Sequence, residues 1–312
     1  MAGRCPKEVE EEFIADCRVL PVTDLCDKYG KARSTIAEWR LSLYNDRKLF
    51  WYPGIRVGGC QAYDEYMEIE GDVMVISDLE IPYHDIVTLG YAVAVAKKFG
   101  VKKLLIGGDL LANDAIGYHA MRSDGTDAST SFSLADSLDA GKGVLQDLFE
   151  HFDWIGLIKG NHEQRGTRIR ELGFFEMMQN AWEDIGDLEI SYYKWCRAGQ
   201  YRIEHPTYRK VPGSIARERA EIEDCSVLCA HTHGFSLSFT KNGKYQAVDL
   251  GHCTLPETRY YKTVDGTGPH PQWVAGFWMI RNGFLYGFPT EFTDWGFWLK
   301  EMRLDGGKKK GR

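Results

Sequence analysis

The sequence predicts a layered α/β protein preceded by a small module of three helices. Two patterns lead to this prediction. From about residue 71 onward, short apolar runs alternate with stretches of helical periodicity, as in strand–helix–strand units. Before residue 48, apolar residues recur at helical spacing throughout. The chain has 312 residues, 44% of them hydrophobic, which is enough for one large core plus a smaller module.

The N-terminal module is predicted to span residues 1–48. A first helix runs from Glu8 to Leu20, Thr23 caps a second, Gly30 supplies a left-handed turn, and Ser34 caps a third. The stretch from Val22 to Leu43 resembles the small DNA-binding helix-turn-helix of resolvases, transposases and phage proteins. An equally open alternative is a three-helix cap that docks on the larger domain or on a partner, because basic and acidic residues nearly balance in the module.

The overall charge limits the classes of partner. A formal net charge of -7 argues against a protein that coats nucleic acid over its whole surface, so any contact with nucleic acid is expected to be local. The first residues lack the basic start and apolar stretch of a signal peptide. A helix that spans a membrane needs an apolar run of about 18 residues, and no run in the sequence approaches that length. We therefore predict a soluble, cytoplasmic protein with no membrane partner. The oligomeric state stays open.

Domain boundaries are predicted from changes in composition. Residues 49–70 contain several prolines and glycines and are predicted to be a linker. The larger domain is predicted to span residues 71–305. Residues 306–312, which include three consecutive lysines, are predicted to be a solvated basic tail.

Polar side chains follow the predicted strands of the larger domain at the points where the strands end. The first strand covers residues 73–76, and later ones cover 103–106, 154–158, 201–204 and 226–230. Helices are predicted over residues 89–99 and 134–152, and residues 245–250 and 273–280 are expected to form strands of a second sheet. Parallel strands present ligands just beyond their carboxyl ends. The donors at these ends are Asp78, Glu80, Asp109, Asn161, His205, His231 and His233.

The chemistry of this set points to metal ions. All its members are oxygen or imidazole donors, which suit hard or borderline divalent cations. Two cations about 3.5–4 Å apart need an anionic bridge, because the bridge offsets their mutual repulsion. Asp109 fits that role. Such a pair can bind phosphoryl oxygens, lower the pKa of a water and stabilise the charge that develops at phosphorus.

The order of these residues resembles the calcineurin-like metallophosphoesterase superfamily, whose signature is Asp-x-His, Gly-Asp, Gly-Asn-His-Glu/Asp, a His and Gly-His-x-His. The resemblance covers residues 73–233 and implies a four-layer α/β/β/α sandwich. It also implies that Asp78 and His233 hold a first ion, that Asp109 bridges, and that His162 is the general acid. The second ion would be held by Asp109, Asn161, His205 and His231.

Two positions depart from that signature. Glu80 stands where the family has a histidine, and Ala230 stands where it has a glycine. If Glu80 is a ligand, its extra negative charge favours Mn²⁺ or Mg²⁺ over Zn²⁺. We therefore expect two divalent ions with Mn²⁺ preferred and Mg²⁺, Fe or Zn²⁺ as alternatives. If Glu80 instead points away, the first ion is weak or absent. Ala230 matters only if its backbone needs a positive φ.

Three further residues are candidates for binding substrate. Arg165 and Arg168 follow the Asn-His-Glu segment, and guanidinium groups match the geometry of phosphate. A solvated helix face is the alternative for both. His119 lies in a polar stretch from residue 113 to 133 that is long for a plain connection and is a candidate lid.

These features predict a hydrolase that cleaves phosphodiester bonds through two metal ions and an activated water. The helix-turn-helix pattern favours a nucleic-acid substrate, and thus a nuclease-like enzyme of phage or mobile-element type that contacts DNA through the N-terminal module and the cleft. Two alternatives remain. One is a phosphatase or phosphodiesterase for a small nucleotide or phosphoprotein. The other is a metal-binding DNA-binding or scaffold protein without catalysis.

Overall fold

A computed structural model describes residues 5–19, 22–47, 66–116, 133–167, 174–207, 213–255 and 273–301. The chain divides into two compact units, residues 1–64 and 65–312. The substrate candidates His119 and Arg168 lie outside the described residues, and so does the side chain of Arg165.

The smaller unit contains three helices, α1 (Glu10–Val19), α2 (Val22–Tyr29) and α3 (Arg33–Arg47). Phe13 lies at the centre of their core, because its ring makes edge contacts at 5.2 Å with both Tyr29 and Trp39. The helices α2 and α3 begin one residue before the predicted caps, so Thr23 and Ser34 lie inside them. Such shifts are common because the first turn of a helix is weakly specified.

The larger unit is built on two six-stranded mixed sheets. The first sheet has the order β1-β6-β7-β8-β10-β9, and the second has the order β12-β11-β2-β3-β4-β5. The strands of the first sheet are β1 (Glu68–Ile69), β6 (Trp195–Ala198), β7 (Tyr201–Glu204), β8 (Ser226–Cys229), β9 (Phe235–Phe239) and β10 (Gln246–Leu250). Those of the second are β2 (Val73–Ile76), β3 (Lys103–Ile106), β4 (Trp154–Leu157), β5 (Leu188–Ile190), β11 (Gly276–Arg281) and β12 (Phe284–Pro289).

Helices cover the outer face of each sheet. The helices are α4 (Ile86–Phe99), α5 (Leu134–Phe149), α6 (Asn161–Thr167), α7 (Phe174–Trp182), α8 (Ser214–Glu223) and α9 (Trp295–Glu301), with 3₁₀ turns at Asp114–Ile116 and Thr290–Phe292. Strand β2 shows how the layers form, because its four residues are all buried. Met74 and Ile76 pack with α4, α5 and α7, whereas Val73 and Val75 face the first sheet.

On the far side of the first sheet, α8 packs against β8 and β10 through a third apolar cluster. The order of layers is therefore helix, sheet, sheet, helix, and the predicted four-layer α/β/β/α class is confirmed. Two assignments differ from the sequence prediction. Glu68–Ile69, which fall in the predicted linker, form β1. The two late strands do not form a second sheet together, because β10 pairs with β8 in the first sheet and β11 pairs with β2 in the second.

Candidate metal centre

The predicted ligands come together because the strands that carry them are parallel neighbours. In the second sheet β2 pairs with β3 and β3 with β4, all parallel. In the first sheet β7 and β8 are also parallel. Parallel neighbours end at the same edge, so the loops after them converge there. The side chains that meet at this edge are Asp78, Glu80, Asp109, Asn161, His162, His205, His231 and His233.

The backbone at this edge adopts a conformation that side chains other than glycine rarely take. The φ angles are 51° at Asp78 and Glu80 and 53° at Asp109, and they are 74° at His231 and 58° at His233. Each such residue carries strain that the surrounding structure must offset, and strain of this kind concentrates at functional sites. Ala230 is not among the residues with positive φ, so this departure from the family signature is compatible with its backbone.

Asp109 lies at the centre of the site and is almost fully buried. Its Oδ1 accepts a hydrogen bond from the backbone N–H of His162 at 2.8 Å. Its Oδ2 lies 3.2 Å from Nε2 of His205 and 3.7 Å from Nε2 of His162. One oxygen is therefore anchored by the backbone, while the other faces two imidazoles.

One side of Asp109 holds Asn161, His205 and His231. His205 Nδ1 lies 2.8 Å from the carbonyl of Gly107 and must donate to it, which leaves Nε2 directed at Asn161 Oδ1, 3.0 Å away. His231 Nε2 is buried and has no hydrogen-bond partner among the described residues. Asp109, His205 and His231 offer ligand atoms that lie within 4.8 Å of one another.

The other side of Asp109 holds Asp78, Glu80 and His233. Asp78 Oδ1 lies 3.2 Å from His233 Nε2, and Glu80 Oε1 lies 3.8 Å from the same nitrogen. Glu80 is 1% exposed, and its Oε1 is 3.5 Å from His162 Nε2. Glu80 thus points into the site rather than away from it. Glu80, Asp109 and His162 form a second group whose ligand atoms lie within 4.8 Å of one another.

The charges of these groups are set by burial and by one another. Burial disfavours the imidazolium form of His205 and by itself would lower its pKa. The carboxylate of Asp109 has the larger opposite effect, so the pKa of His205 is raised to about 10. Burial also disfavours ionised Asp109, yet His162 and His205 hold its pKa well below the usual range. Burial lowers the pKa of His231 to about 4, so this ring is neutral at neutral pH.

Glu163 is a site residue whose role the sequence analysis did not identify. Its carboxylate is fully buried and accepts four backbone N–H groups: those of Asp109, Leu110, Leu111 and Gly160, at 3.0, 2.9, 3.3 and 2.9 Å. Burial and the nearby Asp109 raise the pKa of Glu163 to about 7, against the opposing effect of these donors. Glu163 thereby connects the loop after β3 to the start of α6.

Two further residues support the site, and the sequence analysis assigned a role to neither. Asp249 on β10 is fully buried, and it accepts hydrogen bonds from Thr232 Oγ1 at 3.0 Å and Ser236 Oγ at 2.7 Å. Thr232 lies between the two histidines of the loop after β8, so Asp249 orients that loop. An aspartate placed between the apolar residues Val248 and Leu250 of a predicted strand was the available signal. Gly160 is required by space, since a Cβ there would lie 2.1 Å from Asp109 Oδ1.

The donor set fits divalent cations. Buried carboxylates and imidazoles converge at this edge, and His231 presents a buried nitrogen with no protein partner among the described residues. The two groups share Asp109, as a bridged pair of ions requires. Two histidines also have Nδ1 held by a backbone carbonyl, an arrangement typical of metal-binding imidazoles.

Within the part of the chain that the structure describes, no helix is both long and apolar enough to span a bilayer.

No protein-family model and no curated protein matches the sequence. The chain is similar to solved structures of vacuolar protein sorting 29 (Vps29). The one from Cryptosporidium parvum is 15% identical with a TM-score of 0.33, over 70% of this chain and 98% of that chain.

Another similar structure is Vps29 of Entamoeba histolytica in complex with zinc, at 14% identity and a TM-score of 0.35, over 71% of this chain and 94% of that one. A predicted phosphoesterase from Streptococcus pneumoniae TIGR4 is 14% identical with a TM-score of 0.28, over 70% and 97% of the two chains.

Proposed function

We propose that this chain is a metal-dependent phosphoesterase with two divalent ions. The observation that supports it is the pair of ligand groups that share Asp109. The first ion would be held by Asp78, Glu80, Asp109 and His233, and the second by Asp109, Asn161, His205 and His231. When bound, the ions would polarise the phosphoryl group and lower the pKa of the attacking water. Mn²⁺ suits the first position best, because Glu80 makes it rich in carboxylate oxygens.

The reaction is hydrolysis of a phosphate ester. The oxygen of water forms a bond to phosphorus and releases a proton to solvent, the bond to the leaving oxygen breaks, and the leaving oxygen takes up a proton. The family resemblance would draw that proton from His162, and solvent water is the alternative source. Since Nδ1 of His162 lies 2.7 Å from the carbonyl of Ala112 and must donate to it, a proton donor at Nε2 would require the imidazolium form.

The substrate we propose is a phosphodiester in nucleic acid. Support comes from the three-helix unit, in which the exposed residues Lys31 and Arg33 lie just before and at the first position of α3. Lys28 is less suited to contact a phosphate, because it is already paired with Glu12 at 2.9 Å and Asp16 at 2.6 Å. Contact between α3 and the nucleic-acid backbone would be local, as the net charge of -7 requires.

Hydrolysis assays with Mn²⁺ test the function. We expect cleavage of bis-p-nitrophenyl phosphate and of labelled single- or double-stranded DNA. Asp109→Asn should reduce kcat/KM by at least about 100-fold, because the neutral amide cannot bridge two cations. Asp153→Asn is the matched control, because this aspartate side chain is 75% exposed and lies at the opposite end of β4. No activity of the wild type on any ester would contradict the proposal, as would a fully active Asp109→Asn variant.

The substrate class has its own test. If the chain cleaves p-nitrophenyl phosphate or bis-p-nitrophenyl phosphate but no polymer, the nuclease proposal fails while the phosphoesterase proposal stands. Replacing Lys31 and Arg33 together by alanine should weaken DNA binding and reduce its salt dependence. Lys7→Ala, an exposed lysine of the same unit, is the control. Unchanged DNA affinity of the double variant would exclude this contact.

A further inference from the structure

Two imidazoles are presented to Asp109 in the same way. His205 donates from Nδ1 to the carbonyl of Gly107 at 2.8 Å, and His162 donates from Nδ1 to the carbonyl of Ala112 at 2.7 Å. Both acceptors lie in the loop that follows β3. Nε2 of both rings also lies near the same oxygen, Asp109 Oδ2, at 3.2 Å for His205 and 3.7 Å for His162. A fixed Nδ1–H and an inward Nε2 are the features that orient a metal-binding histidine.

The distances around His162 fit a shared ion better than a hydrogen bond. Nε2 lies 3.5 Å from Glu80 Oε1 and 3.7 Å from Asp109 Oδ2, whereas hydrogen bonds between N–H and O span about 2.7–3.2 Å. Two ligand atoms that each lie about 2.1 Å from one cation are about 3.0–4.2 Å apart, depending on the angle between them. Both distances lie within that interval.

The departure at Glu80 gives this arrangement a chemical reason. The family signature places an imidazole where this chain has a carboxylate, and that carboxylate is buried and turned toward His162. The first position therefore gains one oxygen donor and loses one nitrogen donor. An imidazole reaching the same ion from α6 restores the nitrogen.

We propose that His162 binds the first ion through Nε2, together with Glu80 and Asp109, so that it is a metal ligand in this protein and not the proton donor. The inference rests on the proposed two-metal function. The proton that the leaving oxygen takes up then comes from solvent water. The first ion would have His162 and His233 as its nitrogen donors.

Metal binding by the full chain, measured by calorimetry with Mn²⁺, tests this assignment. The wild type should bind two ions. His162→Ala should bind one ion with unchanged affinity. Its affinity for the other ion should fall by more than about 10–100-fold, which is the cost of removing an outer hydrogen-bond partner of a ligand. His162→Asn, whose side-chain amide nitrogen takes the place of Nδ1 and can still donate to the Ala112 carbonyl, should show the same loss. His151→Ala should bind two ions, since that residue precedes β4 at the opposite end of the strand.

A compensating substitution separates a ligand from a structural residue. Glu80→His in the His162→Ala background restores a histidine at the first position, so it should return the second bound ion to within about tenfold of wild-type affinity. Failure of this rescue would overturn the claim that the two residues serve one ion.

The inference and the proposed function can fail separately. If the wild type binds two ions and hydrolyses esters, and His162→Ala still binds two ions tightly, the inference is overturned and the phosphoesterase stands. If the wild type binds no Mn²⁺ and hydrolyses no ester, the proposed function itself is overturned.

Discussion

Replacing Glu163 by glutamine should loosen the loop that carries Asp109. The carboxylate of Glu163 accepts four backbone N–H groups, two at each oxygen. A glutamine amide has the same shape but only one oxygen. Whichever way it turns, its nitrogen faces two N–H donors that it cannot satisfy. The substitution therefore tests the anchoring of the loop with little change in volume.

The size of the effect follows from the number of bonds lost. Hydrogen bonds to a charged group contribute about 1.5–3 kcal/mol each, so losing two lowers the stability of the loop by about 3–6 kcal/mol. Every 1.4 kcal/mol is about a tenfold change in an equilibrium constant. The population of the opened loop should therefore rise by at least about 100-fold.

Hydrogen–deuterium exchange measures this opening directly. A peptide containing residues 107–112 should exchange at least about 100-fold faster in Glu163→Gln, while a peptide from β8 changes much less. Measurement with a chelator at about pH 8.5, above the pKa of about 7, keeps Glu163 ionised. Glu150→Gln is the control, because Glu150 is exposed at the end of α5. Unchanged exchange at residues 107–112 in Glu163→Gln would refute the reasoning.

Three other perturbations test the site. Gly160→Ala should abolish Mn²⁺ binding, since its Cβ would lie 2.1 Å from an oxygen of the central aspartate. Gly143→Ala is the control, because a Cβ there has no atom within 4 Å; it should bind Mn²⁺ normally and gain about 0.5–1 kcal/mol of helix stability. Calorimetry compares the metal binding of the two variants, and thermal unfolding compares their stability. Asp249→Asn should weaken metal binding by about 10–100-fold, because it disturbs the loop that contains Thr232 and two of the histidines. Ser238→Ala, which removes a hydrogen bond to the carbonyl of Ala247, should leave metal binding unchanged. Equal affinities of the two variants would contradict this role of Asp249. Because the pKa of His205 is raised to about 10, a bound ion must displace the proton of this ring at neutral pH. The affinity for Mn²⁺ should therefore tighten by up to about tenfold per pH unit between about pH 7 and pH 9. An affinity that does not change with pH would contradict this.

The strands and their polar ends could be predicted because both are local patterns. In β2, β3 and β8, an apolar run and the donor that follows it lie within a few residues, so the sequence contains both the element and its ligand. The convergence of these ends is a general property of parallel strands. Helix boundaries were less well predicted, because the first turn at Val22 and at Arg33 depends on tertiary contacts.

The supporting residues could not be predicted because their partners are distant in sequence. Glu163 accepts N–H groups of a loop more than 50 residues away, and a backbone donor leaves no mark on the sequence. Asp249 is read as an interruption of an apolar strand until its two hydroxyl partners are seen. Glu80 points inward from a loop in which its N–H donates to the carbonyl of Asp109, a contact between segments that are distant in sequence. The roles assigned to Arg165, Arg168 and His119, and the contact with nucleic acid, stay predictions.

The origin of the ligands in two different sheets has a mechanical consequence. The oxygen donors belong to loops of the second sheet and three of the histidines to loops of the first, while an apolar core joins the layers below them. A bound ion would therefore act as a cross-link between the sheets, holding together segments that are far apart along the chain. At one hundred times its Kd, each such ion adds about 2.7 kcal/mol of stability. Chelation should therefore lower the melting temperature of the larger unit.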